Sequence, residues 1–172
     1  MKLSTQVFRA HHPGWAFAPE SGQGAAIHGG RFNRKGRDTL YTSLSMQGAW
    51  TEAQQAFPFK AQPVTLCTYD VECDDIEDLA DADTIARLDI QHTDLSCPWE
   101  DLADRGLTPP SWTLAERLIA DGIAGIIVPS FASAAGAGAK NVVFWCWEAK
   151  PPRQVRVIDD QRRLPRDRSS WV

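Results

Sequence analysis

The chain is a succession of short apolar runs separated by loops rich in Gly, Pro and Asp, and this succession limits the folds open to its 172 residues. Runs rich in β-branched and aromatic residues predict strands, whereas runs with a period of 3.6 residues predict helices. The predicted strands are 6–9, 39–43, 63–69, 124–130, 141–149 and 154–159; the predicted helices are 45–57, one or two in the acidic region beginning with 74–82, and 113–122. This mixed order predicts a single α+β domain over 1–172, with a compact, largely antiparallel sheet and flanking helices.

Two of the predicted helices carry end signals. Ser45 is suited to be an N-cap, and the sequence FPF at 57–59 is suited to end that helix. Thr113 and Glu116 have the spacing of a capping box, and Gly122 is a fitting stop. A turn of 100° per residue predicts that one face of the first helix is apolar and buried, and this face comprises Met46, Ala49, Trp50, Ala53 and Phe57.

The same helical period places Glu52 at the edge of that apolar face, about 110° from its centre. Glu52 shares this flank with the small residues Ser45 and Gly48, which would leave room for a ligand beside the carboxylate. Two interpretations therefore stay open for Glu52, a solvated surface carboxylate or a catalytic one.

Composition and charge argue against several functional classes. The net charge is −4 and the sequence pI is about 5.5, which disfavours a nucleic-acid-binding protein. The sequence shows neither a signal peptide nor 18 consecutive apolar residues, so we expect a cytoplasmic protein without a membrane partner. The four cysteines form no CxxC pair, which predicts reduced thiols and no metal site. The acidic segment 70–104 is either a solvated face or part of the approach to a pocket or partner.

A basic loop interrupts this acidic chain. Residues 28–43, HGGRFNRKGRDTLYTS, place four cations within seven residues, Arg31, Arg34, Lys35 and Arg37. Gly29 and Gly30 would let the backbone approach a ligand closely, and Arg31 offers a planar fork of donors suited to a diphosphate. Asn33 and Gly36 suit a tight turn. The loop is either an exposed basic turn or an anion-binding loop that holds a phosphorylated ligand.

Two further side chains have alternative interpretations. Tyr41 in the predicted strand 39–43 either packs in the core or presents its ring to a flat heterocycle. Ser130 follows Pro129 at the end of a predicted buried strand, where a hydroxyl is commonly only a strand-end group.

These stretches together resemble the RES domain family. The resemblance rests on GGRFNRKG, LYTS and TEA, followed downstream by GIAGIIVPS and KNVVFW, and it spans about residues 7–158. The family is named for an arginine, a glutamate and a serine, which would be Arg31, Glu52 and Ser130. Ser133 is a second candidate for the serine, and Arg9 in VFR matches an arginine that the family tends to carry near its start.

The resemblance implies a fold similar to ADP-ribosyltransferases and a role as the toxin of a bacterial type II toxin–antitoxin pair. Members of the family consume NAD+ as a substrate, without a metal. They pass the ADP-ribosyl group to a target protein, to phosphate or to water, and the sequence leaves this acceptor open. The implied partner is an antitoxin with a helix-turn-helix DNA-binding region that blocks the active site.

The resemblance also implies roles for the matched residues. Arg31, with Arg9, would hold the diphosphate of NAD+, and Gly30 and Asn33 belong to the same binding loop. Tyr41 would orient the nicotinamide or its ribose, and Glu52 would stabilise positive charge developing on that ribose. Ser130 would orient the substrate or Glu52. A non-catalytic module that binds an anion or nucleotide through the loop 31–37 is the alternative, and the oligomeric state stays open.

Overall fold

A seven-stranded sheet organises the protein, which we describe from a computed structural model covering residues 1–55 and 61–169. Neighbouring strands follow the order β4-β5-β6-β2-β1-β3-β7, and every pair is antiparallel except β4–β5. The strands are β1 Leu3–His11, β2 Leu40–Ser43, β3 Thr65–Cys73, β4 Ile76–Asp78, β5 Gly125–Pro129, β6 Lys140–Phe144 and β7 Arg153–Val157. The predicted α+β class and the largely antiparallel sheet are confirmed.

Six α-helices accompany the sheet within the described part of the chain. They are α1 Gln23–His28, α2 Met46–Gln54, α3 Ala82–Arg87, α4 His92–Ser96, α5 Trp99–Asp104 and α6 Pro110–Ala120. A short 3-10 turn at Pro13–Trp15 follows β1. Among the described residues, no helix combines the length and apolarity needed to cross a membrane.

Side chains of the central strands alternate between two apolar layers. On β5, Ile127 belongs to one layer, whereas Ile126 and Val128 belong to the other. The first layer is built mainly from β1, β3, β6 and β7, and the second is covered by α3, α4 and α6. The period of two along a strand produces this arrangement, because successive side chains point to opposite faces.

The helix predicted over 74–82 is wrong, because this segment contains a strand. Ile76 pairs with Gly125 as part of parallel β4, and its side chain is fully buried in the first apolar layer. The neighbouring acidic residues suggested a solvated helix, but burial of Ile76 and a hydrogen-bonded place beside β5 outweigh that local preference. Helix α3 begins only after Asp81, whose side chain accepts a hydrogen bond from the Thr84 amide. Three short helices therefore lie in the acidic region, instead of one or two.

Helix α2 begins as predicted, but its buried face agrees only in part with the predicted one. The Ser45 hydroxyl accepts a hydrogen bond from the Gly48 amide at 3.0 Å. Ala49 of the predicted apolar face is buried, together with Gly48, whereas Met46 and Trp50 of that face are exposed. The small residues allow the helix to approach the sheet closely, since a Cβ on Gly48 would lie 3.2 Å from Cβ of Ser43. The predicted stop at 57–59 and Phe57 fall outside the described residues.

Two predicted boundaries are also corrected. Helix α6 begins at Pro110 after Pro109, so Thr113 and Glu116 lie inside the helix and form no capping box. Proline suits this first turn because its fixed φ matches the helix and its missing N–H would have no helical partner. Gly122 does follow the helix, with a φ of +86°. Strand β6 ends at Phe144, so the predicted strand 141–149 is too long, although Trp145 and Trp147 beyond it both pack against the apolar layers.

Candidate active site

A cavity of about 470 Å³ lies over β2, β5 and β6, between the basic loop, α2 and α5. Small-molecule sites commonly have volumes of about 300–1,000 Å³. The cavity is lined by most of the residues that the sequence singled out: Arg9, Gly30, Arg31, Tyr41 and Glu52. A smaller cavity of about 280 Å³ adjoins it under α2 and shares four lining residues with it, Arg9, Tyr41, Glu52 and Asn141. Strands that are far apart in sequence therefore bring the predicted site residues together.

The basic loop is held against Tyr41 by a close approach at Gly30. A Cβ at position 30 would lie 2.6 Å from the Tyr41 hydroxyl and 2.7 Å from Oδ1 of Asn33, so only glycine fits there. The Tyr41 hydroxyl donates to Oδ1 of Asn33 at 2.7 Å and accepts from the Phe32 amide at 2.9 Å. Burial raises the pKa of Tyr41, which keeps this hydroxyl protonated and able to donate.

Asn33 does not line the cavity. Its side chain is buried, and its amide nitrogen donates to the backbone carbonyls of Ala25, Arg34 and Arg37. These contacts close the loop on itself and fix its shape. The structure therefore separates Asn33 from the space that Arg31 and Glu52 face.

Arg31 points into the cavity from an anchored position. Its Nη1 donates to the carbonyls of Leu95 and Cys97, at 3.3 and 2.6 Å, between α4 and α5. The guanidinium lies over the ring of Phe131, 4.5 Å from its centroid. Burial lowers the pKa of Arg31, but an arginine remains protonated at neutral pH. The acidic segment thus helps to shape the site, since Trp99 and Glu100 of α5 also line the cavity.

Arg9 supplies a second cation from β1. Its Nη1 donates to the carbonyls of Pro19 and Ser21, at 2.9 and 3.0 Å. Within residues 1–55 and 61–169, neither Arg9 nor Arg31 forms an ion pair with a carboxylate. Both cations are positioned by carbonyl oxygens, which orient the guanidinium without neutralising its charge.

The other three cations of the loop lie outside this cavity. Arg34 forms an ion pair with Glu116 and lies 5.1 Å from the ring centroid of Trp112. Lys35 and Arg37 are exposed. The basic loop is therefore an exposed turn on one side and a wall of the cavity, through Arg31, on the other.

Glu52 of α2 lines the cavity and supplies it with a carboxylate. Its Oε1 accepts from the Ser130 hydroxyl at 2.5 Å and from Nδ2 of Asn141 at 2.6 Å. Its Oε2 accepts from Nε2 of Gln55, one turn further along the same helix. Ser133 is exposed, so of the two candidate serines it is Ser130 that contacts the glutamate.

Sequence reasoning missed Asn141 and Phe131. Asn141 is the second residue of β6 and lies opposite Ser43 of β2 and Val128 of β5. An asparagine at a strand start gives no signal of such a contact, although it lies in the stretch KNVVFW. Phe131 follows Ser130 in a loop rich in small residues, where an aromatic ring could have been suspected of covering a ligand.

The described residues contain no cluster of three or more His, Cys, Asp or Glu side chains that could hold a metal ion. All four cysteines are unpaired thiols, three of them buried, as the sequence predicted. The cavity therefore offers guanidinium, carboxylate, amide, hydroxyl and aromatic groups.

Comparison with known proteins identifies the family. The RES domain model matches residues 6–167. The chain belongs to the RES domain family. This match confirms the resemblance seen in the sequence stretches around Arg31, Glu52 and Ser130, and it covers nearly the whole chain.

A solved structure supports the same fold. A chain of the M. tuberculosis MbcT–MbcA toxin–antitoxin complex superposes with a TM-score of 0.64 and 18% sequence identity. The alignment covers 92% of this RES domain chain and 84% of the other. No curated protein matches the sequence.

Proposed function

We propose that this RES domain protein cleaves the bond between nicotinamide and ribose in NAD+ and transfers the ADP-ribosyl group to an acceptor. The observation that carries the proposal is the pairing, in one cavity, of an oriented carboxylate with two arginines that no carboxylate of the described chain neutralises. NAD+ presents the complementary groups: a diphosphate, ribose hydroxyls, and a flat cationic leaving group.

The two arginines are suited to the diphosphate. Each uses one nitrogen on backbone carbonyls, which leaves further N–H donors of the guanidinium for a ligand. Bidentate contacts from such a preorganised fork bind phosphate oxygens more strongly than neutral donors do. Gly30 allows the backbone beside Arg31 to lie close to Tyr41, which shapes this wall of the cavity.

Glu52 is suited to the bond-breaking step. When the nicotinamide–ribose bond breaks, its electron pair goes to the nicotinamide nitrogen and neutralises it, while positive charge develops on the ribose. A carboxylate beside that ribose stabilises the charge, as in glycoside cleavage. The leaving nitrogen needs no proton, so a second carboxylic acid is not required. Ser130 assists by holding the carboxylate in place.

We further propose that the protein acts in the bacterial cytoplasm as the toxin of a type II toxin–antitoxin pair. The fold similarity to a chain of a toxin–antitoxin complex and membership of the RES domain family support this role. The partner would be an antitoxin with a helix-turn-helix DNA-binding region that covers the cavity. The ADP-ribosyl acceptor would be a target protein, phosphate or water.

The test incubates the purified protein with NAD+, with and without inorganic phosphate, and identifies the products by chromatography. We expect NAD+ to be lost, and Glu52→Gln to abolish the loss. Glu72→Gln is the matched control, because Glu72 is half-exposed and pairs with Lys2, and neither residue lines the cavity. If the loss of NAD+ depends on phosphate, phosphate is the acceptor. If turnover is slow, the acceptor is sought among the proteins of a cell extract that has been incubated with labelled NAD+.

The proposal would be contradicted if NAD+ stayed intact and labelled NAD+ modified no protein in cell extract. If NAD+ or another phosphate compound then bound without being consumed, the protein would be a non-catalytic anion- or nucleotide-binding module. Growth arrest on expression, lost with Glu52→Gln and relieved by the cognate antitoxin, is the matching test of the toxin role.

A further inference from the structure

Asn141 connects Glu52 to the sheet through a short chain of hydrogen bonds. The Ser43 hydroxyl donates to Oδ1 of Asn141 at 2.6 Å, and Nδ2 of Asn141 donates to Oε1 of Glu52 at 2.6 Å. Ser43 is buried, and it lies directly opposite Asn141 where β2 pairs with β6. The chain of hydrogen bonds therefore starts at a buried residue within the sheet.

The side-chain amide of Asn141 can donate a hydrogen bond to Glu52 in only one of its two orientations. With Nδ2 towards the carboxylate, Asn141 donates to Glu52 and accepts from Ser43. The reverse orientation would place the amide oxygen against a carboxylate oxygen, two acceptors without a proton between them. An ionised Glu52 thus fixes the amide, and the amide in turn fixes Glu52.

The two oxygens of Glu52 are held unequally. Oε1 receives two donors, Ser130 directly after β5 and Asn141 from β6, two strands that pair in the sheet. Oε2 receives only the side chain of Gln55 among the described residues, and Gln55 is exposed at the end of α2. Oε2 is therefore the oxygen that a ligand can reach by displacing a solvent-exposed partner.

We propose that Asn141 is a positioning residue of this site, which, with Ser43 behind it, orients the Glu52 carboxylate so that Oε2 faces the substrate. This inference rests on the proposed NAD+ cleavage. Asn141 acts through Glu52, and its loss would affect the step that depends on the carboxylate more than it affects substrate binding.

Asn141→Asp gives the sharpest test, because the aspartate side chain has the same shape as asparagine but can donate a hydrogen bond only when it is protonated. In this variant a protonated carboxyl group would donate to Oε1 as the amide does, whereas an ionised one would repel Glu52. Among the described residues, the other titratable and charged groups that line the cavity with Glu52 are Arg9 from β1, Tyr41 from β2, Arg31 from the basic loop and Glu100 from α5. These are unchanged in the variant, so a new pH dependence would belong to the pair of carboxylates.

We expect Asn141→Asp to lose about 100-fold in kcat near pH 8 and to recover towards the wild-type value as the pH falls to about 5.5. Asn141→Ala should lose a similar factor at every pH, with KM changed by no more than about threefold. Gln47→Glu is the control, since it adds the same charge on the exposed side of α2. Circular dichroism and NAD+ affinity establish that each variant is folded and binds.

Asn141→Asp with the wild-type pH profile and kcat would overturn the proposal, as would Asn141→Ala with its entire loss in KM. Should the wild type leave NAD+ intact and label no protein in cell extract, the proposed function fails but the positioning role remains testable. The carboxyl carbon signal of ¹³C-labelled Glu52 should then move in Asn141→Ala and stay in place in Gln47→Glu. An unmoved signal in Asn141→Ala would refute the positioning role by itself.

Discussion

Replacing Gly30 by alanine tests the close approach that shapes the wall of the cavity. The added Cβ would lie 2.6 Å from the Tyr41 hydroxyl, 2.7 Å from Oδ1 of Asn33 and 3.0 Å from Cζ of Tyr41. These distances are too short for a carbon contact, so the loop and Tyr41 must separate. The hydrogen bonds from Tyr41 to Asn33 and from the Phe32 amide to Tyr41 would then lengthen or break.

The magnitude follows from two contributions. Overpacking of a tight site costs about 1–3 kcal/mol, and each of the two hydrogen bonds contributes about 1 kcal/mol net. We therefore expect Gly30→Ala to lower the free energy of unfolding by about 3–5 kcal/mol when both hydrogen bonds are lost. This is a large part of the roughly 5–15 kcal/mol that stabilises a typical domain.

Denaturant unfolding followed by circular dichroism measures this effect, with Gly24→Ala as the matched control. Gly24 also lines the cavity, but a Cβ there meets nothing within 4 Å. Because Gly24 lies in α1, alanine should be neutral or should stabilise by up to about 1 kcal/mol. The background Tyr41→Phe removes the nearest clashing atom, so Gly30→Ala should cost less there. An unchanged penalty in that background, or a Gly30→Ala protein within about 0.5 kcal/mol of wild type, would refute the reasoning.

Three further predictions concern single side chains. Arg31→Lys keeps the positive charge but loses the forked donors of the guanidinium. The loss of about 1.5–3 kcal/mol in binding free energy should raise KM for NAD+ about 10–100-fold in steady-state kinetics. The control Arg37→Lys, at an exposed position, should leave KM unchanged. Ser130→Ala should lower kcat about tenfold and Ser133→Ala should leave it unchanged, and equal kcat values would contradict the contact with the carboxylate. Burial lowers the pKa of His11 below 6.5, so the unfolded chain binds that proton first and stability should fall as the pH drops through this value. Unfolding midpoints measured from about pH 7.5 to 5.5 should fall less steeply in His11→Gln.

The strands that the sequence predicted best are those with continuous apolar runs. Residues 124–130 could be assigned because Ile126, Ile127 and Val128 are buried on both faces of a central strand, which leaves no polar alternation to misread. Strand β4 could not be assigned, because a single buried Ile76 lies among acidic residues and its partner strand is about fifty positions away in sequence. This segment becomes a strand because of its tertiary contacts and not because of its local sequence.

The site residues also differ in how far the sequence alone predicts them. Arg31 and Glu52 were found because a glycine-led basic loop and a carboxylate beside small residues are local signals. The Glu52 interpretation nevertheless rested on an apolar face that is only partly correct, since Ala49 is buried together with Gly48 whereas Trp50 is exposed. Asn141 was missed because its role depends on the register between β2 and β6, which a single sequence does not reveal.

Release of nicotinamide from NAD+ shows whether the protein cleaves this bond and whether cleavage depends on Glu52. Wild-type protein and Glu52→Gln are compared in one assay that measures free nicotinamide by chromatography and bound NAD+ by calorimetry. We expect the wild type to release nicotinamide and Glu52→Gln to bind NAD+ with similar affinity but to release none. Equal release by both proteins would contradict the role given to Glu52, and no release by the wild type, either alone or with cell extract as a source of acceptor, would contradict the proposed cleavage itself.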